Sequence, residues 1–160
     1  MKTIHTLTVP DMMWVNAQVC GGQQPWDYAT LEEAVFNQYA HGGNHDLAGQ
    51  AARFLIGFGK LRPFKMGNEA TAFVGLVAFL AMNGKGLHLE DADAAAWVEN
   101  LMAEQAHDGA KAKIEVILEE HGQHGHYGVP DVQGILREAL ATYPKAVSEL
   151  KAKGHVAAIA

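Results

Sequence analysis

The chain has 160 residues, with 12 Lys and Arg against 18 Asp and Glu and a net charge of -6. Hydrophobic residues make up 49% and charged residues 19%, which excludes a disordered chain. The length suits one domain over residues 1–160 that buries a core without disulfides or metals. The acidic balance argues against general nucleic-acid binding, which needs a basic surface to release counterions. The one cysteine, Cys20, excludes an internal disulfide and points to a cytoplasmic setting.

At the amino end, His5, Thr6, Thr8, Pro10 and Asp11 break any apolar run, so no signal-peptide core is expected. Helical periodicity then dominates. Asp11 is expected to cap a first helix through Met12, Trp14, Val15 and Val19, ended by Gly21-Gly22. Thr30 with Glu33 has the spacing of a capping box for a second helix carrying Leu31, Ala34 and Val35, with Tyr39 as a further candidate for its apolar face. After the turn at residues 41–44, Asn44 is expected to cap a third helix through Leu47, Ala48, Ala51, Ala52, Leu55 and Phe58. Pro63 breaks it. Gly67-Asn68 opens a fourth helix, apolar nearly all round, that stops at Asn83-Gly84. It is shorter than the ~20 residues of a membrane span and reads as a core helix.

Leu87 to Leu89 reads as a short extended piece, and Asp91 or Asp93 as the cap of a fifth helix with Trp97, Val98, Leu101 and Met102. A sixth helix is expected over Ala110 to Glu120, and a seventh from Pro130-Asp131 with Val132, Ile135, Leu136, Ala139 and Leu140. Pro144 ends or kinks it before a last helical piece to Lys153. The expected architecture is an all-α bundle around a central apolar helix over about residues 68–83.

The entry to that central helix reads Leu61-Arg62-Pro63-Phe64-Lys65-Met66-Gly67-Asn68-Glu69-Ala70-Thr71-Ala72. A glycine-containing loop feeding a helix amino terminus presents free N–H groups and partial positive charge, which favour an anion. Lys60, Arg62 and Lys65 add three cations.

Here the chain resembles the Fic/Doc (death-on-curing) family, whose motif runs His-Pro-Phe-x-Asp/Glu-Gly-Asn-x-Arg-Thr-Ala before an apolar helix ending Phe-Leu-x-x-Asn-Gly. Pro63, Phe64, Gly67, Asn68, Thr71 and Ala72 match it, as do Phe79-Leu80 and Asn83-Gly84. Upstream, Gly21-Gly22, Leu31-Glu32-Glu33-Ala34 and His45-Asp46-Leu47 follow the order of the Doc branch, so the resemblance covers about residues 10–105. Helices over about 106–153 are additional to that branch. The resemblance implies a fold that transfers AMP or phosphate from a nucleoside triphosphate with Mg²⁺ to a protein hydroxyl. It also implies a toxin–antitoxin setting, in which an antitoxin-like partner lies in a groove.

The departures fall on the chemistry. The family's general base aligns with Arg62, which stays protonated and cannot take a proton. The metal-holding acid aligns with Met66 and the phosphate-clamping arginine with Ala70. One reading is a catalytically degenerate member whose loop, through Arg62, Phe64, Lys65, Gly67 and Asn68, holds phosphate or nucleotide in a regulatory or partner-controlled role. The other is an active nucleotidyl- or phosphotransferase with non-standard catalytic residues. The sequence leaves open whether the chain is an enzyme.

Other residues carry weaker signals. His121, His124 and His126 sit near Glu119 and Glu120 and contain metal-binding side chains, but the spacing does not place them on one helix face. A solvated polar loop is the plainer reading. His41 and His45 flank a turn and suit surface and capping positions better than a displaced base. Cys20 reads as a small apolar residue, and Trp14, Trp26 and Trp97 as core or groove residues.

Overall fold

Residues 4–39, 46–104, 106–120 and 130–153 are described in a computed structural model of the chain. They form eight helices and one two-stranded ribbon: α1 (Val9–Cys20), α2 (Tyr28–Phe36), α3 (Leu47–Leu61), α4 (Asn68–Met82), β1 (Lys85–Leu87), α5 (Asp91–Met102), α6 (His107–Ile117), β2 (Leu118–Glu120), α7 (Val132–Thr142) and α8 (Pro144–Lys153). The all-α expectation holds. In α4 every residue except Glu69, Val77 and Ala81 is buried. A helix apolar on all sides needs neighbours on all sides, and α1, α3, α7 and α8 supply them. Gly75 lets two of these approach closely: a Cβ there would stand 2.7 Å from Met12 Cε and 3.0 Å from Phe54. No helix among the described residues is long and apolar enough to cross a membrane.

Several helix boundaries differ from the sequence expectation, each for a physical reason. The α1 cap is Thr8 rather than Asp11. Thr8 Oγ1 accepts from Asp11 N at 3.2 Å and Asp11 Oδ2 accepts from Thr8 N at 2.8 Å, a reciprocal box that draws Pro10 into the first turn. The α2 helix starts at Tyr28, ahead of Thr30, because the chain leaves an antiparallel bridge between Trp26 and Phe64 directly into helix. Thr30 donates to the Asp27 carboxylate instead of capping. The cap of α3 is Asp46, accepting from Gly49 N at 3.2 Å; Asn44 lies outside the described residues. The α6 helix ends at Ile117 rather than Glu120. Residues 118–120 pair instead with β1, Lys85 opposite Glu120 and Leu87 opposite Leu118, so the extended piece begins two residues before Leu87.

Neither Asp91 nor Asp93 caps α5; Glu90 holds that position. The Asp91 carboxylate instead accepts from Lys145 N at 3.0 Å and Ala146 N at 2.8 Å, capping α8 from 54 and 55 residues away. Asp91→Ala removes acceptors from two first-turn N–H groups of α8, and a loss of about 1–2 kcal/mol is expected. Urea denaturation of Asp91→Ala beside Asp93→Ala, an exposed neighbour on the same helix, checks this. Equal midpoints would remove Asp91 from the capping role.

Two amide side chains supply backbone pairing that a sheet would otherwise provide. Asn83 Oδ1 accepts from His5 N at 2.7 Å and its Nδ2 donates to His5 O at 2.9 Å. Gln38 does the same to Leu7, at 2.6 and 2.7 Å, and is itself fully buried. The extended amino-terminal segment is thereby fixed across the ends of α4 and α2 without a strand partner.

Candidate functional site

The loop from Arg62 to Gly67 joins two helices that pack on each other, so its ends are held close. Arg62 closes α3 in a left-handed conformation, φ 47° and ψ 62°, with its N–H donating to Phe58 O at 3.0 Å. Glycine is the usual residue there, because a side chain carries a steric cost. The middle of the loop is clamped from outside. Asp27 N donates to Pro63 O at 3.0 Å, and Lys65 N donates to Pro25 O at 2.9 Å. From the other side, Asn16 Nδ2 donates to Met66 O at 2.9 Å and to Thr71 Oγ1 at 3.1 Å. Gly67 then enters α4 at φ 78°.

Five residues were expected to hold phosphate or nucleotide. Phe64 and Asn68 are buried. Asn68 Oδ1 accepts from Phe64 N at 3.0 Å and its Nδ2 donates to Phe64 O at 2.8 Å, so the side chain closes the loop on itself. The Phe64 ring stacks on Phe58, centroids 6.3 Å apart. Gly67 is buried against Cys20 and Asn16. Lys65 is exposed. Arg62 reaches across the loop to the first turn of α4, Nη1 to Glu69 Oε2 at 2.6 Å, with the two side chains 22% and 14% exposed. The second Glu69 oxygen, Oε1, is buried without a hydrogen-bond partner.

The electrostatics follow from those positions. The amino end of α4 carries the partial positive charge of its first N–H groups, and Glu69 places a carboxylate in that first turn with Arg62 beside it. An incoming phosphate meets a negative charge already installed at the same helix end. The residues of the loop do not suit a divalent metal. Met66 offers a thioether where a hard cation wants oxygen, and no group of three or more His, Cys, Asp or Glu gathers among the described residues. His41, His45, His121, His124 and His126 lie outside the described residues. Cys20 is half-buried; burial pushes its thiol pKa up, Lys151 partly opposing, which makes it a weak nucleophile. Trp14, Trp26 and Trp97 are half-buried and pack against the core, with the Arg137 guanidinium 5.1 Å from the Trp14 ring centroid.

Sequence reasoning missed Asn16, whose two donated bonds tie α1 to the loop and to α4. A single polar residue inside an apolar helix face has no spacing signature. Its only sign was an amide among Val15, Val19 and Cys20. No family model matches the chain, and no match was found among curated proteins or among solved structures.

Proposed function

We propose that the chain is a Fic/Doc-like protein that no longer performs nucleotidyl or phosphoryl transfer and works as a binding component controlled by a protein partner, in the manner of a toxin–antitoxin or regulatory pair. The observation that supports this most is the Arg62–Glu69 ion pair at the amino end of α4. At the position where the family places a general base stands a permanent cation, and that cation is engaged by an internal carboxylate. The rest of the motif keeps its shape for structural reasons: Gly67 makes the turn and Asn68 closes the loop on Phe64.

On this reading Glu69 holds the anion site in a self-occupied state. Glu69→Gln removes the competing negative charge beside Arg62 and the helix terminus, which favours an incoming phosphate. Calorimetry with ATP and AMP, with and without Mg²⁺, is expected to show weak binding to the native protein. About tenfold tighter ATP binding is expected in Glu69→Gln, the effect of one charge near a partly screened phosphate, with little dependence on Mg²⁺. Neither form is expected to label added proteins with AMP or phosphate. Label transfer by the native protein that Arg62→Ala abolishes would establish the active-transferase reading instead. Equal affinities in the native protein and Glu69→Gln would reduce the loop to a helix start.

A further inference from the structure

A second surface lies at the opposite end of α1 from the loop. Cys20, the last residue of α1, sits against Gly67, whereas Val9 and Pro10, in its first turn, line a separate groove. A helix of 12 residues separates the two by about 18 Å. The groove encloses about 730 Å³ between the extended segment before α1 and the outer face of α2.

Its construction follows from the pattern of α2. Leu31, Ala34 and Val35 turn inward and are buried. Ala29, Glu32, Glu33 and Phe36 fall at i, i+3, i+4 and i+7, the spacing of one helix face, and all four are exposed. Phe36 is 67% exposed and Tyr39 40%, their rings 5.0 Å apart. The opposite wall is rigid, because Gln38 holds both backbone groups of Leu7 and the Thr8–Asp11 box fixes the start of α1. An exposed aromatic pair over a preformed apolar trough is a frequent mark of a contact surface.

Charge selects the occupant. The groove residues include Glu32 and Glu33 and no Lys or Arg, on a chain whose net charge is -6. A second copy meeting this face about a twofold axis would bring Glu32 and Glu33 into one interface from both sides, with no Lys or Arg of the groove to pair them, which opposes association. We infer that the groove docks a cationic amphipathic segment of another protein, with large apolar side chains in the trough and Lys or Arg flanking them. Guanidinium groups meet Glu32 and Glu33 and lie over the exposed faces of Phe36 and Tyr39. This surface is independent of the Arg62–Gly67 loop, so it stands or falls apart from the reading of that loop.

The probe is a short labelled peptide with a leucine stripe at helical spacing flanked by arginines, beside the same peptide with glutamates replacing the arginines. Fluorescence anisotropy is expected to show saturable one-to-one binding of the arginine peptide alone. Phe36→Ser with Tyr39→Ser, and separately Glu32→Lys with Glu33→Lys, are expected to weaken it at least about tenfold. Asp108→Lys with Glu115→Lys, exposed on α6, removes acidic charge elsewhere and is expected to leave it unchanged. All altered side chains are exposed, and circular dichroism confirms the fold of each variant. Absence of saturation, equal binding in every variant, or a dimer in sedimentation that Phe36→Ser dissolves would each overturn the proposal.

Discussion

Asn68→Ala is expected to destabilise the protein by about 2–5 kcal/mol, with a fall in melting temperature of roughly 4–20 °C for a chain of this size. Asn68 is fully buried and bonds both the N–H and the carbonyl of Phe64. Alanine leaves that donor and that acceptor inside the protein with neither side chain nor water, and each orphaned buried group costs about 1–3 kcal/mol. Because the defect is local, the denaturant slope should stay at the native value while the midpoint falls. An unchanged midpoint would mean that the loop reaches other partners at little cost. That result would also free Asn68 for a role toward a ligand.

Gly67→Ala is expected to cost about 2–4 kcal/mol, from two separable sources. The backbone there has φ 78°, which penalises any side chain by about 1–2 kcal/mol. The added Cβ would also stand 2.6 Å from Cys20 Sγ and 3.3 Å from Asn16 Nδ2. Cys20 is short and sits at the end of a helix, so it has little room to yield. Cys20→Ala should therefore recover the contact part of the loss and leave the backbone part. A double-mutant cycle is expected to show a coupling of about 1–2 kcal/mol. Strict additivity would place the whole cost in the backbone and remove the close approach of α1 to the loop.

The central helix was readable from the sequence because both of its ends are marked by residues with few alternatives. Gly67 supplies a positive φ at one end, and Asn83-Gly84 closes the other. The start of α7 was equally readable, since Asp131 caps it locally through Gly134 N. The start of α1 was misplaced because Thr8, rather than Asp11, caps it within a local box, and those of α2 and α5 because a distant contact overrides the local cap. Trp26 is bridged to Phe64, and Asp91 serves a helix more than fifty residues on. The loop shows the same division. Its residues stand out by type, but two facts that bear on its chemistry depend on folding: the closure of Asn68 onto Phe64, and the meeting of Arg62 with Glu69 across the helix boundary. The groove beside α2 was hidden because Tyr39 reads as a continuation of the helix's apolar face, whereas α2 ends at Phe36 and Tyr39 stands 40% exposed beyond it.

The way α4 is enclosed bears on how the chain is made. Two of its four helical neighbours, α7 and α8, follow it in the sequence, and α8 is the last described element. At about 5–20 residues per second of synthesis, several seconds pass between the emergence of Met82 and that of Leu150. Until α7 emerges, the most apolar of the described helices has α1, α3 and β1 against it, while the faces that α7 and α8 will cover stand open. A nascent chain in that condition is a natural client for a ribosome-associated holdase, and a stall or stop codon before α8 would release a product that proteases and aggregation compete to remove.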